Sequence, residues 1–157
     1  MGYCSQVITP RLNKKQISKS YVNAGQMNEE LGMRNENAIE AKSFDFAIRI
    51  VKLYQYLTNE KKEFVLSKQL LRSGTSIGAN VAEAERAQSQ ADFYAKMSIA
   101  LKEANETDYW LRLLYKTDYL TENEYNSINK NINEIIALLV SITKTVKSSL
   151  ETERRKE

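Results

Sequence analysis

Two features of the sequence have the residue types for chemistry. The stretch RSGTSIGANVAEA, residues 72–84, sets Gly74 and Gly78 among Ser, Thr, Asn and Ala, the composition of loops whose backbone N–H groups hold phosphate. Glu103 and Glu106 fall on neighbouring turns of a helix, where carboxylates can hold a divalent ion or serve acid–base catalysis. The glycine stretch fails the phosphate test. A phosphate loop needs Gly, four residues, then Gly-Lys-Ser/Thr after a strand. Here only three residues separate the glycines, Ala79 stands at the lysine position and no strand pattern precedes. The dinucleotide pattern G-x-G-x-x-G is absent as well. On a helix, Gly74, Gly78 and Ala82 fall on successive turns, a slim strip beside Leu70, Ile77 and Val81 that lets another backbone approach closely. Each glycine costs a helix up to ~1 kcal/mol relative to alanine, which points to a packing reason. Asn80 lies at the edge of the same face, either a half-buried amide that fixes the register of packed helices or a partly solvated side chain.

The carboxylates are constrained by what the chain lacks. Histidine is absent, which removes imidazole as base, shuttle or ligand and with it the Glu-x-x-His motif of helical di-metal sites. No metal or cofactor is expected. Glu103 and Glu106 then either pair with arginines at an interface, with Arg72, Arg86 and Arg112 as the candidates, or stand solvated. A competing reading makes the chain a small enzyme using Glu83, Glu103 or Glu106, which requires these acids in a concave site with shifted pKa values. Tyr109, Tyr115, Tyr119 and Tyr125 gather near one helix junction. They either close the end of a core or, beside Lys116, stack bases.

The elements that must position these residues are helices. The 157 residues suit one domain with a real core, and one proline with five glycines leaves little material for a many-stranded sheet. Net charge is +3, from 23 basic and 20 acidic residues, too balanced to argue for a nucleic-acid binder. Cys4 is the single cysteine and forms no internal disulfide, which fits a cytoplasmic location. No apolar run approaches the ~20 residues of a membrane span.

Residues 1–42 hold Pro10, Gly25 and Gly32 with no sustained apolar period, and read as a weakly ordered tail. Met27 and Met33 are candidate initiation points within it. A basic arm of Arg11, Lys14, Lys15 and Lys19 is the alternative, diluted by four glutamates between Glu29 and Glu40. From Ser43, a candidate N-cap, the pattern turns helical, with Phe44, Ala47, Ile48, Val51, Tyr54 and Leu57 as the inner face. TNEKKE (58–63) is the turn before a helix whose inner face is Leu66, Leu70, Ser73, Ile77, Val81 and Ala84. Ser89 with Asp92 opens a third helix carrying Phe93, Met97, Ala100, Ala104, Thr107, Leu111 and Leu114 inward. KTDYL (116–120) breaks it. Thr121 with Glu124 forms a capping box for a fourth helix with Tyr125, Ile128, Ile132, Ile135, Leu139, Ile142 and Val146 inward. Four amphipathic helices with short turns predict an all-α, antiparallel up-and-down four-helix bundle over 43–150, with residues 151–157 as a charged end.

The third helix has apolar surface beyond one core. Ile99, Glu103, Glu106, Trp110 and Leu113 form a second heptad-spaced line. Such lines mark association surfaces, so homo-oligomer contacts with closed cyclic symmetry are expected there.

Three segments carry a resemblance: KSFDFAIRIVKLYQYL (42–57), QLLRSGTSIGANVAEA (69–84) and FYAKMSIALKEANETDYWLRLL (93–114). In this order they resemble the bacterial four-helix-bundle family first noticed as open reading frames in intervening sequences of large-subunit ribosomal RNA genes. The resemblance spans roughly residues 37 to 150. It implies an up-and-down bundle, assembly into a five-membered ring and no established enzymatic activity. A relative, the accessory protein of diversity-generating retroelements, is a basic pentamer that works with a reverse transcriptase and its RNA. The implied role is a non-enzymatic oligomeric scaffold whose partners are itself and RNA or a nucleic-acid-associated protein. A protein–protein adaptor without nucleic acid is the alternative.

Overall fold

The computed structural model describes the backbone of residues 14–155 and the side chains of Asn35 and residues 38–155. Four helices follow in order: α1 (Lys14–Asn59), α2 (Leu66–Ala84), α3 (Gln90–Lys116) and α4 (Glu122–Arg154). The chain divides into two units, Met1–Met33 and Arg34–Glu157, and the second is the all-α, up-and-down bundle. The expected basic arm falls outside the described side chains. Among the described residues no helix is long and apolar enough to cross a membrane.

Local chemistry sets each helix end. α2 has no side-chain cap from Val65. Instead the buried Glu63 carboxylate accepts from the N–H groups of Val65 at 3.0 Å, Leu66 at 2.8 Å and Ser67 at 2.6 Å, satisfying donors that a helix start leaves unpaired. Burial pushes this carboxyl's pKa up, but the bonds from Leu66, Ser67 and Val65 outweigh it and hold it below the ordinary value. Lys62, with φ 54°, reverses the chain just before. Ser89 caps α3 by accepting from Asp92 N–H at 3.1 Å, and Thr121 with Glu124 closes a reciprocal capping box on α4. α3 ends at a turn where Asp118 takes φ 61°.

The core faces of α2, α3 and α4 lie where the periodicity puts them. Leu70, Ile77 and Val81 meet Met97, Ala104 and Leu111, with Ile128, Ile132, Ile135 and Leu139 closing the far side. Among the described residues one cross-helix polar bond lies inside: the Thr107 and Ser73 hydroxyls, both fully buried, stand 3.0 Å apart, with Thr107 Oγ1 2.7 Å from the Glu103 carbonyl oxygen of its own helix.

The first helix requires two corrections. Ser43 does not start it: α1 is already helical from Lys14, and the Ser43 hydroxyl donates to the Glu40 carbonyl at 3.0 Å within the helix. Packed side chains precede the expected boundary, since Ile39 is in the core. The inner face is also rotated. Ile39, Ser43, Phe46, Ile50 and Leu57 are buried, whereas Phe44, Ile48 and Val51 are exposed at 67%, 42% and 40%. The glycines of α2 choose between these two heptad-spaced lines. A Cβ on Gly74 would lie 2.8 Å from Ile50 Cγ1, and one on Gly78 would lie 3.4 Å from the Ser43 carbonyl oxygen. The line that faces α2 sets Ile50 against Gly74 and Ser43 against Gly78, and Phe44, Ile48 and Val51 turn outward.

Candidate assembly surface

The second line on α3 forms a ridge on the bundle surface. Ile99 is 43% exposed, and Tyr109, beside the ridge, 51%. Glu103, Glu106, Trp110 and Leu113 are half-buried. Trp110 rests partly on the core, donates Nε1–H to Glu106 Oε1 at 3.3 Å and takes the Tyr109 ring edge-on, with centroids 5.0 Å apart at 75°. Resting on the core while bonding to a surface acid is a posture typical of interface tryptophans. Glu103 is less settled: its Oε2 is covered by its own protomer yet has no hydrogen-bond donor. A buried acceptor without a donor costs about 1–3 kcal/mol.

Within one protomer the candidate arginines do not supply that donor. Arg112 Nε turns to Asp108 at 3.0 Å, one turn away on its own helix. Arg72 and Arg86 are exposed, and among the described residues neither forms an ion pair with a carboxylate. Among the described residues none of the three pairs with Glu103 or Glu106.

The acids also do not converge. Glu83 bonds Lys96 at 2.6 Å on the surface between α2 and α3. It therefore stands level with the start of α3, seven residues and about 10 Å from Glu103 along the axis. The cleft of about 570 Å³ near the α2–α3 turn is lined by Val81, Ala84, Phe93, Met97 and Val146, with Glu85 at its rim; Glu83, Glu103 and Glu106 do not line it. Burial raises the Glu85 pKa, and a hydrogen bond with the like charge of Glu40 raises it further. Among the described residues no group of three or more His, Cys, Asp or Glu side chains could hold a metal ion.

The sequence profile of the 23S rRNA-intervening sequence proteins matches residues 35–141. The chain belongs to that family. Its fold is also that of a crystallised protein of unknown function from the S23 ribosomal protein family of Bacteroides thetaiotaomicron. The two are 62% identical over 70% of this chain and 98% of that one, with a TM-score of 0.69. No curated protein matches the chain. The matched segment begins at Asn35, ahead of Ser43, in agreement with the buried Ile39.

In this member of the family the slim strip serves helix packing at two of its three positions. Gly74 is buried and Gly78 half-buried against α1, but Ala82 is exposed, so the close approach ends a turn earlier than the spacing suggests. Asn80 donates to the Ser76 carbonyl of its own helix at 2.8 Å and, among the described residues, makes no cross-helix bond that would fix register. That part falls to Ser73 and Thr107, two small hydroxyls that read as ordinary inner-face residues in the sequence. The tyrosines divide as well. Tyr115 and Tyr125 stack face to face, 4.6 Å between centroids at 6°, and Tyr119 rests on the core, which closes the bundle end. Tyr109 instead belongs to the exposed ridge.

Proposed function

We propose that the protein is a non-enzymatic helical scaffold that works as a homo-oligomer, with the Ile99–Glu103–Glu106–Trp110–Leu113 ridge as an assembly surface. The observation that carries this reading is the apolar surface of that ridge: Ile99 and the neighbouring Tyr109 are exposed beside half-buried Trp110 and Leu113. A protomer that stays alone keeps that apolar surface wet. The enzyme alternative is not favoured: Glu83, Glu103 and Glu106 are spread along the bundle rather than gathered in a cleft.

Trp110→Asp puts a third carboxylate on the ridge. Light scattering of this variant beside the wild type tests the surface. The expected result is a fall in mass to that of a monomer, with unchanged helix content by circular dichroism. An assembled variant of unchanged mass rejects this ridge.

Association with ribosomal RNA or another nucleic acid is the second reading, favoured by the exposed Arg72 and Arg86 without carboxylate partners among the described residues. RNA affinity measured across a salt series decides it. Phosphate contacts give a steep fall with salt, and no binding at low salt removes nucleic acid and leaves a protein–protein scaffold.

A further inference from the structure

A second ridge lies on α1, and contacts through α2 fix its height. On one side of α2, Gly74 meets Ile50 and Gly78 meets Ser43. On the other, Ser73 meets Thr107 at 3.0 Å and Glu83 meets Lys96 at 2.6 Å. Ile50 of α1 and Thr107 of α3 thus stand at about the same height along the bundle, and the two helices run the same way. Phe44, Ile48, Val51 and Gln55 are then level with Ile99, Glu103, Glu106 and Trp110 to within about one turn. Both rows step by four, three and four residues, the spacing of a helix–helix seam.

Equal height matters because rotation about an axis along the bundle moves a surface sideways without raising it. A closed cyclic contact therefore joins surfaces that share a height. Charge then selects which surfaces meet. Two α3 ridges facing each other across a two-fold axis would bring the carboxylates of Glu103 and Glu106 against their own copies, a like-charge arrangement that costs several kcal/mol. The α1 row contains no acid. It carries the Gln55 amide, and beside it stands Lys52, exposed, without a carboxylate partner among the described residues and level with Glu106. Asp45, at the edge of the α1 row, is level with Lys102 at the edge of the α3 row, so both flanking charges are complementary.

We propose that the Phe44–Ile48–Val51–Gln55 row of one copy is the counter-surface for the Ile99–Glu103–Glu106–Trp110 row of the next, with Lys52 supplying the cation for the Glu106 carboxylate. The contact is head-to-tail, each copy using two different faces. This rests on the reading that the protein self-assembles, and the following experiment separates the two.

Ile48→Asp and Ile99→Asp are made singly in the full chain, with Phe44→Asp as a second α1 variant. Folding is checked by circular dichroism and cooperative melting, and masses are read by sedimentation. Each folded variant is expected to be a monomer, because a head-to-tail seam is lost when either side is charged. Mixing Ile48→Asp with Ile99→Asp is expected to give a complex of two chains and no larger, since one intact seam remains. Charge exchange adds a check: Lys52→Glu and Glu106→Lys each weaken assembly about tenfold or more, equivalent to about 1.4 kcal/mol, and the double exchange restores it. If both α1 variants keep the wild-type mass, or if each ridge variant stays dimeric and the mixture forms no mixed pair, the head-to-tail seam is overturned while self-assembly stands. A monomeric wild type overturns both readings.

Discussion

Gly74→Ala and Gly78→Ala differ in sequence only by position, and the packing predicts effects of opposite sign. At Gly74 the new methyl would sit 2.8 Å from Ile50 Cγ1, 2.9 Å from Cγ2 and 3.1 Å from Cδ1. Ile50 is fully buried and β-branched, so its two γ carbons cannot swing aside. Overpacking of this kind costs about 1–3 kcal/mol, against up to ~1 kcal/mol gained because alanine favours the helix. The net expectation is a loss of about 1–2 kcal/mol. At Gly78 the nearest atom is the Ser43 carbonyl oxygen at 3.4 Å, the edge of ordinary contact. Most of the propensity gain survives there, and the variant should be about 0.5–1 kcal/mol more stable. Urea unfolding at one fixed protein concentration reads both, provided the slopes agree. An Ile50→Ala background isolates the cause. That change alone costs about 2–5 kcal/mol, but on it Gly74→Ala should become neutral or stabilising, a coupling of about 1 kcal/mol or more. Equal effects at the two glycines, or no coupling to Ile50, would refute the steric argument.

Three further outcomes follow from the same contacts. Glu63→Ala removes the acceptor for three N–H groups at the start of α2 and should cost about 1–2 kcal/mol. Because its folded pKa lies below the ordinary 4.5, its contribution is complete above that value and fades as pH falls through the lowered one; a variant with the wild-type acid limb contradicts this. Thr121→Ala opens the capping box of α4 and should lose about 1 kcal/mol by chemical unfolding, while Glu124, held below its ordinary pKa chiefly by the residue 121 backbone N–H that alanine keeps and only in smaller part by the lost hydroxyl, should stay lowered in an NMR titration. Ser73→Ala leaves the buried Thr107 hydroxyl without its cross-helix partner and should cost about 1 kcal/mol, whereas Asn80→Ala, whose amide bonds only within α2, should change stability by less in the same assay.

Three helices were legible because each carries a single buried line. On α3 the second line is interrupted by Glu103 and Glu106, which leaves the Met97–Leu114 line as the one without charge, and the caps at Ser89 and Thr121 use side chains that advertise themselves. The first helix was legible as a helix from Ser43 on, but neither its start nor its inner face was, because two lines of equal spacing both carry large apolar residues. Hydrophobicity does not separate the Phe44 line from the Ile50 line; the fold buries the Ile50 line, and the deciding feature lies on another helix, in the space above Gly74 and Gly78. Glu63 escaped notice for a related reason. A carboxylate before a helix usually acts as a diffuse charge, and only the backward turn at Lys62 aims this one at three N–H groups. The α3 ridge could be read from its spacing, but its proposed counterpart in charge and height on α1 could not, since that relation exists only once α2 sets both helices in register.

Self-assembly is the claim on which the functional reading depends, and sedimentation velocity of the unmodified chain over a wide concentration range tests it most directly. The account predicts one closed species at a fixed multiple of the monomer mass that does not grow as concentration rises. A single monomer boundary at every concentration would contradict it.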